Sequence, residues 1–288
     1  MNPPPLLDYL AARPAALAKG PIAIILIEDD AAVAQTLDHH LQAGFRHLLA
    51  LSPEPLALPA GSDSRVTNLI WDTRRAAAHQ DAVNAVIGAV PAGTWLYYCF
   101  NAEFLLFPFM EARQVGEMLA FHAEERRDAM LTYVIDLYAP DLAACPDAVN
   151  LKTPLFDRTG YYALGRMGPD GQALERQLDF HGGLRWRFEE LVPANRRRID
   201  RIGLFRARPG LRVSADHRFN IAEYNTYSCP WHHNLTAAIA SFRVAKALVT
   251  NPGSRDRIDG FTWRSSHPFE WSSRQLMDLG LMEPGQWF

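Results

Sequence analysis

Residues 95–109 read Trp-Leu-Tyr-Tyr-Cys-Phe-Asn-Ala-Glu-Phe-Leu-Leu-Phe-Pro-Phe, the most apolar and aromatic stretch of the chain. Gly93 precedes this stretch and Pro108 interrupts it, so the pattern predicts a buried central strand over residues 95–100. Its single formal charge is Glu103. Because an ionised carboxylate in apolar surroundings requires a partner, Glu103 is the first functional candidate. The alternative is a structural Glu103 that accepts backbone hydrogen bonds in the following turn.

Strands and helices alternate through the first half of the chain. The β-branched run at residues 22–27 predicts a strand covered on both faces, and it ends at Glu28-Asp29-Asp30. We expect these acids to cap the next helix, which Gly44 ends. Similar strand patterns end at Asp72 and at Asp136. The alternation predicts an α/β fold whose mostly parallel, twisted sheet has helices on both faces.

Four acids are expected at the carboxyl edge of that sheet: Glu28, Asp72, Glu103 and Asp136. Ligands of open α/β sheets bind at this edge, so the acids predict a site there. Acids at a helix start also stabilise the helix dipole without any ligand, which is the alternative interpretation.

The second half is rich in arginine, with ten arginines and four acids over residues 185–218. Arg185 and Arg187 flank Trp186 on a predicted strand, where alternation directs both guanidinium groups to one face and Trp186 to the core. A pair of forked cations on one face is suited to holding a phosphate. The alternative is a solvated strand face.

The last part of the chain predicts no metal site. Cys229-Pro230-Trp231-His232-His233 contains two adjacent histidines that point in different directions, which favours a turn before a helix over residues 235–249. The aromatic tail, residues 251–288, is expected to pack on the body of the protein, as is the arm formed by residues 1–20.

Composition narrows the class of protein. The 288 residues are 48% hydrophobic, enough for one large domain or two closely packed halves, and the net charge of −3 disfavours general nucleic-acid or anionic-membrane binding. Three scattered cysteines indicate neither a disulfide framework nor a zinc site, which is typical of a reducing compartment. With no apolar run long enough for a membrane span, we expect a cytoplasmic protein.

The chain resembles the family-2-like glycosyltransferases of the GT-A fold, in particular a bacterial branch with the signature Asp-x-Asp-Glu-Phe-Leu. The resemblance covers roughly residues 21–250 and includes Glu103-Phe104-Leu105, Asp136-Leu137-Tyr138 and residues 37–45. Residues 182–188, Gly-Gly-Leu-Arg-Trp-Arg-Phe, are similar to a Gly-Gly-x-Arg-x-Arg-x-Phe motif of the family.

The chain departs from the family pattern at several motif positions. With Glu103 in register, the two metal-binding aspartates of the family fall on Phe100 and Ala102. A slip of one residue gives Asn101-Ala102-Glu103, which keeps an oxygen donor at both ends. Arg201-Ile202-Gly203-Leu204 stands where the family commonly has Lys-x-Pro-Leu, and Ser241-Phe242-Arg243 stands at its His-Phe-Lys/Arg element.

The resemblance implies transfer of a sugar from a nucleotide-sugar donor to a glycan or other hydroxyl acceptor, for example in surface polysaccharide assembly. It implies a GT-A-like domain over residues 21–250, with a Rossmann-like nucleotide-sugar half at residues 21–140 and an acceptor half at residues 141–250. The candidate catalytic residues are Glu103, Asp136 and His217, and the candidate donor-binding residues are Glu28, Asp72, Asn101, Arg185 and Arg187. Arg185 and Arg187 would replace the divalent cation, Mn²⁺ or Mg²⁺, that Phe100 and Ala102 disfavour.

Two hypotheses from different classes follow. The first is a metal-independent or weakly metal-dependent glycosyltransferase, favoured by the Gly182 to Phe188 motif. The second is a catalytically inactive relative that binds a nucleotide-sugar or serves as a scaffold subunit, favoured by Phe100 and Ala102.

Overall fold

The structure is a computed structural model that describes residues 3–57, 63–226 and 234–287. Its helices are α1 (Leu6–Ala11), α2 (Val33–Gln42), α3 (Ala78–Ala89), α4 (Val115–Glu124), α5 (Gly183–Arg187), α6 (Arg243–Thr250) and α7 (Ser273–Asp278). Its strands are β1 (Ile22–Leu26), β2 (His47–Ser52), β3 (Val66–Ile70), β4 (Trp95–Phe100), β5 (Glu103–Leu106), β6 (Ala129–Tyr138), β7 (Leu155–Asp157), β8 (Tyr162–Met167), β9 (Ala173–His181), β10 (Asp200–Arg206), β11 (Ala237–Ser241) and β12 (Ser266–Pro268).

The chain forms two compact units. The first contains Met1–Asn101, Ala112–Met130 and Ile202–Asn225, and the second contains Ala102–Glu111, Leu131–Arg201 and Thr226–Phe288. The chain therefore passes between the units several times, whereas the sequence predicted two consecutive halves that meet near residue 140.

The first unit contains the parallel sheet that the strand–helix alternation predicts. Strands β3, β2, β1 and β4 pair in that order, all parallel, and β10 pairs antiparallel with β4. Every residue of β1 is buried, because a central parallel strand is covered on both faces. In the predicted N-terminal arm, Leu6 and Leu10 of α1 are buried, and α1 packs on α3. The expected mixed α/β class is confirmed.

The acids after β1 do not cap α2, so that prediction was wrong. The N-cap is Ala32, in a left-handed conformation and without a side-chain cap hydrogen bond. The loop places Ala31 and Ala32 between Asp30 and the helix, and Asp29 instead accepts a hydrogen bond from the backbone N–H of Ala31 at 3.0 Å. Gly44 follows α2 with a φ of +96°, as its predicted role as a helix end requires.

The second unit is built on a mixed sheet. Strand β11 lies between β5, to which it is antiparallel, and β6, to which it is parallel. Strand β7 pairs antiparallel with both β6 and β12, and β8 and β9 form a separate two-stranded ribbon. In the predicted C-terminal tail, Phe269 is buried and belongs to this unit.

The single helix predicted over residues 235–249 was wrong, because the chain forms β11 there, followed by α6. The run Ala237-Ala238-Ile239-Ala240 is continuously apolar, and such a run is compatible with either a buried strand or a buried helix. The turn predicted at residues 229–233 lies outside the described residues. Within the described part of the chain, the structure contains no helix of the length and apolar character needed to cross a bilayer.

Candidate functional site

Three side chains form a row across the sheet of the second unit. Ser241 in β11 is in register with Glu103 in β5 on one side and with Asp136 in β6 on the other. Residues in register on neighbouring strands point to the same face of a sheet, so Glu103, Ser241 and Asp136 share one face. The row starts at the first residue of β5, and Asp136 lies inside β6, two residues before its end. The sequence predicted that each acid follows the end of a strand. That prediction was wrong for both Glu103 and Asp136.

Glu103 has the partner that its buried position requires. Its carboxylate accepts two hydrogen bonds from the guanidinium group of Arg201, at 2.7 and 3.0 Å, and a third from Ser241 Oγ at 2.9 Å. The side chains of Glu103 and Arg201 are 0% and 3% exposed. A bidentate pair at this depth fixes both groups in one geometry, so Glu103 organises the row and is not poised to exchange a proton.

Asp136 is as deeply buried as Glu103, with a side chain 0% exposed, and differs from it in being held less closely by its arginine. Its carboxylate accepts two hydrogen bonds from Arg185, one from the backbone N–H and one from Nε, each at 3.3 Å. Burial raises the pKa of Asp136 to about 6, although the charge of Arg185 acts in the opposite direction. Gly183, with a φ of +60°, lies against it, and a Cβ there would come within 3.0 Å of Asp136 Oδ2. A carboxyl that titrates near neutral pH is suited to serve as a general base.

Arg187 belongs to a second buried cluster centred on Asp157. The Asp157 carboxylate accepts hydrogen bonds from Tyr138 Oη at 2.6 Å, from Trp263 Nε1 at 2.7 Å and from Arg187 at 3.1 Å. Arg187 also donates to the carbonyl oxygen of Phe261 at 2.7 Å. This cation is therefore held by a protein carboxylate, a role that the sequence did not anticipate.

The predicted strand around Arg185 and Arg187 was wrong, since both residues lie in α5. Trp186 is 40% exposed and does not face the core. The left-handed Gly183 begins a helical turn of five residues, and within it the three residues Arg185-Trp186-Arg187 alternate polar and aromatic side chains as a strand does. Gly182 has a related steric role, because a Cβ there would overlap the ring of Tyr161.

Tyr161 has an unusual environment that the sequence did not signal. Its hydroxyl oxygen is buried and has no hydrogen-bond partner among the described residues. Burial and the negative charges of Asp157 and Asp136 raise the pKa of Tyr161 well above its usual value, so the phenol is neutral. A buried, unpaired hydroxyl costs free energy, which makes Tyr161 a candidate ligand-binding residue.

In the first unit, the carboxyl edge of the parallel sheet carries Glu28 after β1 and Asp72 after β3. Asn101, after β4, lies beneath the loop that follows β1. Its side chain accepts from the backbone N–H of Glu28 at 2.9 Å and donates to Asp29 Oδ1 at 2.6 Å. Asn101 is fully buried and supports the loop. Arg74, which the sequence analysis missed, is exposed and donates from Nε to the carbonyl oxygen of Glu28 at 2.9 Å.

The positions expected to hold a divalent cation do not fit one. Phe100 and Ala102 are buried and carry no side-chain oxygen. In the alternative register, Asn101 is engaged with the loop after β1 and Glu103 with Arg201. Hard cations require several free oxygen ligands. Over residues 3–57, 63–226 and 234–287, no group of three or more His, Cys, Asp or Glu residues is arranged to hold a metal ion.

His217 belongs to the first unit, whereas the other two catalytic candidates, Glu103 and Asp136, belong to the second. Its Nδ1 lies 3.0 Å from Tyr98 Oη, and its ring stacks on His79 with centroids 4.3 Å apart. The same loop contributes Arg212 and Ser214 to a cleft of about 540 Å³ beside α3. These contacts are typical of a histidine that packs and hydrogen-bonds within the fold, so they favour a structural role for His217 over a catalytic one.

The raised pKa of Asp136 predicts a pH-dependent stability difference. The folded protein binds the proton more tightly than the unfolded chain, whose carboxyl titrates near 3.8, so the free energy of unfolding falls as pH rises from about 4 to about 6. Asp136→Asn lacks this titration. Relative to the wild type it should gain up to about 3 kcal/mol between pH 4 and pH 7, measured by guanidinium denaturation at each pH. Parallel curves for the two proteins would show that the folded Asp136 titrates normally.

The site residues thus fall into two groups: Glu28, Asp72 and Asn101 lie in the first unit with His217, and Glu103, Asp136, Arg185 and Arg187 lie in the second. Of the residues missed, Asp157 had a sequence signal, since it follows the apolar pair Leu155-Phe156 as other candidate acids follow strands. No protein-family model matches the chain, and no curated protein matches it significantly in sequence.

Proposed function

We propose that the protein is a metal-independent glycosyltransferase that moves a sugar from a nucleotide-sugar donor to a hydroxyl acceptor. The observation that carries the proposal is the convergence of Glu103, Arg201 and Ser241 in one hydrogen-bonded cluster. These residues stand at three separate motif positions of the glycosyltransferases that the sequence resembles. Motif positions that meet in space beside a titratable carboxylate, Asp136, are expected of a working site.

The first unit supports a donor-binding role. Its parallel sheet carries Glu28 and Asp72 at the carboxyl edge, where α/β proteins bind nucleotides. Carboxylates there accept hydrogen bonds from ribose hydroxyls and base N–H groups. The exposed guanidinium group of Arg74 adds a local positive charge for a phosphate. The arrangement is compatible with a GT-A-like nucleotide half.

The second unit carries the candidate base, Asp136. In the proposed reaction, the acceptor oxygen forms a bond to the anomeric carbon of the donor sugar while the bond from that carbon to the diphosphate oxygen breaks. Asp136 takes the acceptor proton, and the nucleoside diphosphate leaves with the bonding electron pair. A base with a pKa of about 6 is largely deprotonated at pH 7 and still basic enough for this transfer.

The second candidate is a catalytically inactive relative that binds a nucleotide-sugar. The observation that favours it is the engagement of Arg185 and Arg187 with Asp136 and Asp157, at 3.3 and 3.1 Å. Neither cation is left to neutralise a departing diphosphate. In this interpretation Arg74 and the first unit bind the nucleotide and no transfer follows.

Calorimetric titration with UDP and with GDP, each with and without Mn²⁺, tests the donor site. We expect one nucleotide to bind equally well in both conditions, and Arg74→Ala to weaken that binding by about 1 to 2 kcal/mol. Arg65→Ala is the matched control, because Arg65 is an exposed arginine that precedes β3, whereas Arg74 follows the other end of that strand.

The outcomes separate the candidates. Metal-independent binding followed by sugar transfer from the matching donor supports the enzyme, and binding without transfer or donor hydrolysis supports the inactive relative. Binding that requires Mn²⁺ would contradict metal independence. The absence of binding to either nucleotide under all conditions would contradict both candidates.

A further inference from the structure

The β8–β9 ribbon of the second unit carries an unusual share of the exposed apolar side chains. In the described part of the chain, four of the seven exposed large hydrophobic residues lie in this ribbon: Tyr162, Leu164, Met167 and Leu174. A two-stranded ribbon is marginally stable by itself, and apolar side chains concentrated on one element mark an interaction surface. The ribbon is therefore suited to bind a further strand.

The outer edge of β8 is open. Among the described residues, β9 is the strand that pairs with β8, antiparallel, from Tyr162 opposite His181 to Met167 opposite Ala173. Five of the six residues of β8 are exposed, so side chains on both faces of the strand reach solvent. A strand that is exposed on both faces and has no described partner on its second edge presents free backbone N–H and C=O groups to another strand.

Exposed charges, which usually protect such an edge, are not found on β8. Its one charged residue, Arg166, is 5% exposed and donates to the carboxylates of Asp179 and Asp200 at 2.8 and 3.0 Å. Strand β9 differs, because it exposes Glu175 and Arg176, and Arg176 has a left-handed φ of +57° that interrupts the regular strand. The unprotected side of the ribbon is therefore the β8 edge.

The other outer strands of the described sheets are protected. Strand β3 is partly covered by the N-terminal segment, since Pro5 forms a bridge to Ile70 and the Ile70 N–H donates to the carbonyl oxygen of Pro4 at 2.9 Å. Strand β12 has three residues and ends at Pro268, and every residue of β5 is buried. Proline, short length and burial each hinder pairing with a further strand. The β8 edge lacks all three.

We propose that the β8 strands of two copies of the chain pair antiparallel and form a dimer. This pairing joins two ribbons into one four-stranded sheet and satisfies the open backbone groups of both edges. Charge favours a second copy, because two uncharged edges meet without repulsion, whereas a charged peptide finds no exposed opposite charge on β8. Six residues a side is fewer than the roughly 20 to 30 of a standard interface, so we expect a reversible dimer that dissociates at micromolar concentration.

Sedimentation velocity of the full chain over a series of protein concentrations tests the dimer. We expect the wild type to be monomeric when dilute and dimeric when concentrated. Leu164→Lys should weaken the association about tenfold or more, because it places two like charges at the centre of the pairing. The matched control is Leu7→Lys, which should leave the association unchanged, since Leu7 is 57% exposed, against 56% for Leu164, and lies on α1 in the first unit.

A mixture of Leu164→Lys and Leu164→Glu distinguishes self-pairing from other forms of association. When two β8 strands pair antiparallel, their middle residues lie beside each other, so the mixed dimer brings opposite charges together. We expect each variant alone to be largely monomeric and the mixture to regain most of the association. A wild type that stays monomeric, which would leave the ribbon to a strand of another protein, an unchanged association for Leu164→Lys, or a mixture that stays monomeric would overturn the proposal. The proposal does not depend on the proposed function, since the test requires neither nucleotide nor sugar.

Discussion

Replacement of Arg201 by methionine is expected to lower the free energy of unfolding by about 3 to 5 kcal/mol. The Glu103 carboxylate is 0% exposed and receives two hydrogen bonds from Arg201 at 2.7 and 3.0 Å. Without this cation, the buried carboxylate keeps the hydrogen bond from Ser241 but loses the two from the guanidinium group. Guanidinium denaturation at pH 7 measures the loss.

The double variant Glu103→Met/Arg201→Met is the matched control. This variant removes the Glu103–Arg201 ion pair as a whole and does not leave the Glu103 carboxylate without Arg201, so we expect it to recover most of the stability that Arg201→Met loses. If the single and double variants are equally destabilised, the loss of stability comes from packing around Arg201 and not from the unpaired charge of Glu103. A single variant within 1 kcal/mol of the wild type would contradict the buried pair itself.

Asp157→Ala is expected to cost about 3 to 5 kcal/mol, because one change removes the buried carboxylate that accepts from three donors. Tyr138 Oη and Trp263 Nε1 each lose a short hydrogen bond, and Arg187 loses the carboxylate that balances its charge. The measurement is again the free energy of unfolding from guanidinium denaturation at pH 7.

Single-donor variants show how the cost of Asp157→Ala is divided. Tyr138→Phe and Trp263→Phe each remove one donor and leave the ion pair with Arg187, so each should cost about 1 kcal/mol from the lost hydrogen bond, with an added packing loss for the smaller ring at Trp263. A cost for Asp157→Ala below that of Tyr138→Phe would show that the carboxylate is not the centre of the cluster.

The first unit was largely predictable from the sequence, because its elements carry strong periodic signals. The run over residues 22–27 is too continuously apolar for a half-exposed strand, and Gly44 marks the end of a helix with a residue suited to positive φ. The stretch that begins at residue 95 gave the bounds of β4 correctly. Such local signals suffice for β1 and β3, each of which is followed by a helix.

The second unit was harder to predict, since its strands pair with distant segments. Residues 237–240 form a short apolar run, and only the pairing of this segment with both β5 and β6 makes it a strand. The requirement that Glu103 has a partner followed from burial, but its identity as Arg201 depends on tertiary contacts. The unpaired hydroxyl of Tyr161 had no sequence signal, because it arises from what surrounds the ring.

The row of Glu103, Ser241 and Asp136 also affects how the chain folds during synthesis. Ser241 is 138 residues from the carboxylate to which it donates, so a growing chain can present Glu103 long before β11 exists to cover it. Contacts this distant in sequence close late and slow folding. During synthesis, β5 and β6 would each expose an unpaired edge until the last fifth of the chain emerges. We therefore expect truncated chains that end before residue 237 to bind chaperones or aggregate.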